Sequence, residues 1–129
     1  MKQSAKLELF NYCFAQFLKL NVPVVTTKEL NQELDYPFIA IQTVSDSMNR
    51  LTFDSYGGNP TVTVHIWGLE DDKGKHDSLY MSVQDSLLND IELPHYFLYN
   101  PQIIVNENNE IDSNQTLIHT IINIEYSSH

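Results

Sequence analysis

The sequence predicts an α+β fold, a mostly antiparallel β-sheet of about four strands with two main α-helices packed on one face. Three observations carry this expectation. Two stretches space their apolar residues at helical intervals, four others look like strands, and the order along the chain is helix, strand, strand, helix, strand, strand. Strands joined by hairpin-like loops and interrupted by one crossover helix suggest two layers. At 129 residues, the span 1–129 is expected to form a single domain.

The first helix is predicted over about residues 4–20. Ser4 suits an N-cap, and Phe10, Cys13, Phe14 and Phe17 follow the i, i+3, i+4, i+7 rule, with Leu7 and Leu18 widening the stripe. Asn21 tolerates a left-handed backbone and Pro23 cannot continue the ladder, so the helix stops there. Residues 22–27 are β-branched and read as an edge strand, since Pro23 lacks a donor, and 27–34 has room for a helical turn. A firmer strand covers 38–44, opened by Tyr36-Pro37, where the proline keeps Tyr36 extended.

A long polar loop is expected over 45–60, with Leu51, Thr52 and Phe53 as its apolar cluster. Connections of this length inside a compact domain are usually functional or disordered. The Gly57-Gly58-Asn59-Pro60 turn then opens the strand 61–67, with Val62, Val64 and Ile66 on one face and Thr61, Thr63, His65 and Trp67 on the other. Gly68 and the cluster Glu70-Asp71-Asp72 end it. After Gly74 a second amphipathic helix aligns His76, Leu79, Tyr80, Val83 and Leu87, closing at Leu88 and Asn89. Residues 91–100 carry no clear period. Residues 102–105 read as a strand, 106–114 as a hairpin loop and 115–126 as a long final strand.

Composition excludes several classes. Hydrophobic residues make up 42% and charged ones 19%, too apolar for disorder and too polar for a membrane protein. No apolar run approaches the roughly 20 residues of a bilayer span, and the first residues lack the pattern of a secretory signal, so a soluble chain made in the cytoplasm is expected. A net charge of −10 argues against gripping nucleic acid through its phosphates. That charge is unevenly placed: residues 1–30 hold Lys2, Lys6, Lys19 and Lys28 against Glu8 and Glu29, a balance of +2, and the remainder sums to −12. Opposite signs on two parts of one chain favour head-to-tail contact between copies.

Catalytic signatures are lacking. The four glycines form no phosphate-binding loop, no Gly-x-Ser-x-Gly elbow occurs, and the five histidines lack the His-Glu-x-x-His spacing of a zinc helix. Cys13, the single cysteine, lies in an apolar stripe and is expected to be a small core residue. His65 and His119 fall in predicted strands and can meet across the sheet, but no cysteine supports them as ligands, so polar packing is expected and no metal. Glu70, Asp71, Asp72 and Asp77 resemble a cation loop in composition only, without its alternate spacing. No catalytic residue and no cofactor are expected. The candidate interface residues are Leu51, Phe53 and Tyr56 of the loop, together with Trp67. Glu70, Asp71 and Asp72 form a candidate acidic belt.

The chain resembles the tail-terminator, or tail-completion, family of head-tail joining proteins in long-tailed bacteriophages. The likeness rests on the leading amphipathic helix, the strand Tyr36-Pro37-Phe38-Ile39-Ala40-Ile41 and the polar loop. It continues through Thr63-Val64-His65-Ile66-Trp67-Gly68 running into the helix of Leu79, Val83 and Leu87, and ends in Ile121-Ile122-Asn123-Ile124-Glu125-Tyr126. The resemblance implies a non-catalytic structural protein, a homo-oligomer that is hexameric in the assembled tail and monomeric or assembled in solution. Such a ring completes the head-proximal end of the tail tube and joins it to the head connector. Its implied partners are the tail-tube protein and the head-connector protein, with DNA only as passing cargo and no membrane. It is implied to assemble in the host cytoplasm and then to reside in the virion. An acidic belt lining the bore would keep DNA from sticking. The alternatives are another phage neck or tail component, or a small ligand- or peptide-binding module without catalysis.

Overall fold

A computed structural model describes residues 2–27, 34–49 and 57–129. Its elements are α1 (Ala5–Leu18), β1 (Val24–Thr26), β2 (Phe38–Asn49), β3 (Gly57–Leu69), α2 (Lys73–Leu87), β4 (Ile91–Glu92), β5 (Phe97–Asp112) and β6 (Gln115–Ser128), with a short 3-10 turn, Glu70–Asp72, between β3 and α2. The strands form one sheet in the order β1-β2-β3-β6-β5-β4. The α+β class with both helices on one face agrees with the sequence, but among the described residues the sheet has six strands rather than about four. β1 is the edge strand read at 22–27 and pairs with β2 in parallel, Val24 opposite Ile39, while the short edge strand β4 falls in the stretch 91–100 that carries no clear period. No described helix is long and apolar enough to cross a membrane.

Local chemistry accounts for the helix ends. Ser4 caps α1, its Oγ accepting from the Leu7 N–H at 3.3 Å. Asn21 does adopt a left-handed backbone, with φ 59°. The buried stripe of α1 is rotated from the expected one: Leu9, Cys13 and Phe17 are fully buried and Phe10 and Phe14 only half-buried, while Leu7 and Leu18 are 42% and 53% exposed. The anchor is therefore Leu9, one turn before Cys13. In α2 the buried residues are His76, Leu79, Val83 and Leu87, the face that the spacing marks.

The strands are longer than local composition suggests. β2 pairs with β3 out to Asn49 opposite Gly57, so both ends of the expected 45–60 loop are strand; residues 50–56 fall outside the described ones. Likewise β5 pairs with β6 out to Asp112 opposite Gln115, leaving Ser113-Asn114 as a two-residue turn with φ 55° at Ser113. The expected 106–114 loop is thus an exposed hairpin arm. Asn, Asp and Glu are poor strand formers by propensity, and a long aligned ladder overrides them. The helical turn expected at 27–34 lies mostly outside the described residues. Tyr36-Pro37 is a cis peptide.

The core sits between the helices and the sheet. Ile39, Ile41, Val62, Val64, Ile66, Ile122, Ile124 and Tyr126 are almost wholly buried and meet Leu9, Cys13, Phe17, Val83 and Leu87. Burying each such side chain contributes about 1.5–3 kcal/mol before entropy is counted. Two tyrosines tie elements to α2: from the sheet the Tyr126 hydroxyl donates to the Leu87 carbonyl at 2.6 Å, satisfying an end carbonyl of α2, and from α1 the Tyr12 hydroxyl donates to the Ser86 carbonyl at 3.0 Å. Burial of Tyr126 raises its pKa, so the hydroxyl stays a donor.

Candidate functional site

Strand alternation sends Val62, Val64 and Ile66 toward the helices and Thr63, His65 and Trp67 to the opposite, outer face. Trp67 stands opposite Phe38 on one side and His119 on the other. Its ring stacks on the His119 ring at 3.7 Å between centroids and 11° between planes, and on Phe38 at 6.4 Å and 18°. Tyr36 extends this shelf, 5.6 Å from Phe38. Phe38 itself is buried with Val25 and Ala40 in a second small cluster against which Tyr36 and Trp67 pack. A shallow recess of about 340 Å³ opens beside the shelf, with Glu110 and Asp112 on its acidic side and Ile111 and Leu117 between. The indole N–H of Trp67 is buried without a hydrogen-bond partner among the described residues.

A chain of hydrogen bonds crosses this face. His119 Nδ1 lies 3.0 Å from Glu110 Oε2, His65 Nδ1 lies 2.6 Å from His119 Nε2, and the Gln42 side-chain amide contacts His65 Nε2. Burial lowers the pKa of both histidines. For His65 the neighbouring His119 adds to that effect and Glu110 opposes it; for His119 the Glu110 carboxylate opposes it. Both rings are neutral at pH 7, and the proton positions follow from the network. Glu110 can only accept, so His119 donates from Nδ1 and accepts at Nε2 from His65 Nδ1–H. The remaining His65 nitrogen faces the Gln42 oxygen, so with both rings neutral the Gln42 amide must turn its N–H toward it. One extra proton on the pair reverses this end, because a protonated His65 donates to the Gln42 oxygen. The two nitrogens are also too close to share a metal: ligands about 2.1 Å from one ion at tetrahedral angles stand more than 3 Å apart. The described residues hold no group of three His, Cys, Asp or Glu side chains able to bind a metal ion.

Glu70, Asp71 and Asp72 occupy the 3-10 turn at the same end of the sheet as Trp67, and none is buried. Glu70 pairs with the exposed Lys73 at 2.9 Å, a contact worth little in water. Behind the turn, Glu70, Lys73, Asp77, Glu107 and Asn109 rim a polar recess of about 520 Å³ that reaches His76. His76 is 3% exposed, and its Nε2–H donates to Thr120 Oγ1 at 2.8 Å; the Thr120 hydroxyl in turn donates to Glu107 Oε1 at 3.2 Å. Burial lowers the His76 pKa, with Glu107 and Asp77 opposing, so the ring is neutral and its Nδ1 lone pair has no hydrogen-bond partner among the described residues. Gly68 makes room for it: a Cβ there would stand 2.3 Å from His76 Nδ1.

The structure thus brings together His65 and His119, as their strands suggest, and sets Trp67 on the same face. It leaves the Glu70-Asp71-Asp72 turn apart from them. Leu51, Phe53 and Tyr56 lie outside the described residues. Sequence reasoning missed Gln42, Glu110 and the His76-Thr120-Glu107 relay. It also missed the buried Glu8, which takes the His95 backbone N–H at 3.0 Å and its Nδ1 at 2.6 Å. Only pairing register relates Glu110 to His119, and the expected loop at 106–114 hid that register. For His76, the nearby Gly68 was an available signal of close approach.

Comparison with known proteins finds likeness in fold only. No family model matches the chain, and no curated protein does. A chain in the solved structure "Virion of native gene transfer agent (GTA) particle" is similar over 96% of this chain and 95% of its own, with a TM-score of 0.56 and 7% sequence identity.

Proposed function

We propose that this chain is a non-catalytic structural protein of a virion, and within it the tail terminator of a long-tailed bacteriophage. In this role identical subunits, six in the assembled tail, close into a ring that completes the head-proximal end of the tail tube and meets the head connector. The observation that carries the proposal is the fold shared over nearly the whole chain with a component of a virion. The motif order that resembles the tail-terminator family supports the finer role. The lopsided charge and the exposed hairpin arm of β5 and β6 suit head-to-tail contact. The assembly forms in the host cytoplasm and stays with the particle.

In this reading Trp67 is first a packing residue, and the shelf it forms with Tyr36 and Phe38 is open to a neighbour on its outer side. The Glu70-Asp71-Asp72 turn is a belt that faces the bore or the tail tube. Changing all three to Lys separates these cases: failed docking marks a tube-facing belt, and normal docking with slowed DNA ejection marks the bore. The decisive test is electron microscopy of assembled tails carrying a labelled copy of this chain. Label in a ring at the head-proximal end is expected, and tails without that density would remove the proposal.

A further inference from the structure

The two edges of the sheet are finished in the same unusual way. On one side β5 runs for 16 residues, yet β4 pairs only with Phe97 and Leu98. On the other side β2 runs for 12 residues, yet β1 pairs only with Ile39, Ala40 and Ile41. Each edge is therefore a step, a short outer stub followed by a long inner strand to which no described strand is paired. Free edges of this kind are templates for another strand, and monomeric proteins blunt them with Lys, Pro or bulges. In β5 a bulge falls between Tyr99 and Gln102, beside Pro101, upstream of the uncovered run. From Gln102 to Asp112 there is no Lys and no Pro, and Ile104 and Ile111 are 65% and 83% exposed.

The geometry points to these edges as the joint between copies of this chain: β5 of one subunit, along Gln102–Asp112, adds as a strand to the uncovered half of β2 of the next, along residues 44–49. The inference rests on the ring reading and deepens it by naming the contact. Charge selects the occupant. Pairing β5 with β5 would set Glu107, Glu110 and Asp112 near the same three carboxylates, and like charges facing across strands destabilise them. The 44–49 segment, Val-Ser-Asp-Ser-Met-Asn, holds one carboxylate and is followed in sequence by Arg50. The two edges lie at opposite ends of one sheet, so each joint leaves the next edge available. That is a heterologous contact, which yields a closed ring or an open filament according to its rotation. Main-chain hydrogen bonds give affinity in such strand addition and side chains set the register.

The test uses the full chain at low and at millimolar concentration. Amide hydrogen exchange is read at 102–112 and 44–49, and cysteines are placed singly at Ile104, Asn106 or Asn108 in one population and at Ser45 in another. Expected are a tenfold or greater slowing of exchange at both segments on assembly, and a disulfide between the two populations for at least one pair, since Cα atoms about 5.5 Å apart can be bridged. Assembly into rings with exchange unchanged and no cross-link overturns this joint and leaves the ring intact. Protection and cross-links in an open filament uphold the joint and remove the ring. A chain that stays monomeric at millimolar concentration, without cross-links, overturns the joint.

Discussion

Along β3, Val62, Val64 and Ile66 disappear under two helices, while Thr63, His65 and Trp67 between them face outward to partners on neighbouring strands. Inward contacts are apolar and non-directional, so their contribution follows the area removed from water. Outward contacts are directional: Thr63 donates to Asn123 Oδ1 at 2.7 Å, and His65 joins a chain whose donors and acceptors must alternate. One strand therefore carries two kinds of dependence. The inner face should be sensitive to volume and, apart from His76, indifferent to pH; the outer face should be the reverse.

The largest effect should come from volume on the inner face. Ile124→Ala, at a fully buried position, should cost about 3 kcal/mol in chemical denaturation, whereas Asn123→Ala beside it should cost under about 1 kcal/mol. Comparable losses from the two variants would erase the contrast between faces. Next is Gly68→Ala, whose new Cβ meets His76 at 2.3 Å; a loss of about 1–3 kcal/mol is expected. His76→Ala should relieve most of it in a double-mutant cycle, and additive losses would place the strain elsewhere.

A third test is pH. His65, His76 and His119 have folded pKa values lowered from 6.5, so the unfolded chain binds protons more readily. Their contribution to stability is fully present above about 6.5 and is lost as pH falls through the folded values. The groups facing them are Gln42 and Glu110 on the outer side, and Thr120, Glu107 and Asp77 on the inner. Denaturation midpoints measured between pH 7.5 and 5 should fall, and the His65→Gln/His119→Gln variant should show a shallower fall, with the ring still assembling. An unchanged slope would show that the outer pair is not buried neutral. Smallest of all, converting Glu70, Asp71 and Asp72 to Ala should move stability by no more than about 0.5 kcal/mol, as for exposed turn residues.

What was legible in the sequence follows the same division. The alternation of Val62, Val64 and Ile66 marks β3 and its buried face without help, because period and burial agree. The helices are legible too, although Leu9 replaced Leu7 as an anchor, since a wide stripe leaves its own centre undefined. The ends of β2 and β5 were not legible: Asp, Asn, Ser and Glu favour turns locally, and only pairing with β3 and β6 holds them extended. The polar chain depended on those ends. Gln42 follows Ile41 at a register shift, and Glu110 lies in a segment that composition assigns to a loop. Long-range register, absent from any local window, is what brings such residues together.

Cys13 has a practical corollary. It is the only cysteine, it is fully buried between the helices and the sheet, and burial pushes its thiol up to about 12, so at neutral pH it is neither accessible nor a thiolate. A maleimide or spin label offered to the folded protein should pass it by. Any cysteine introduced on the surface, such as at Ile104, then becomes a unique address without first removing the native one. The fold thus arrives ready for distance measurement, and the spacing of subunits around an assembled particle can be read from one reporter per chain.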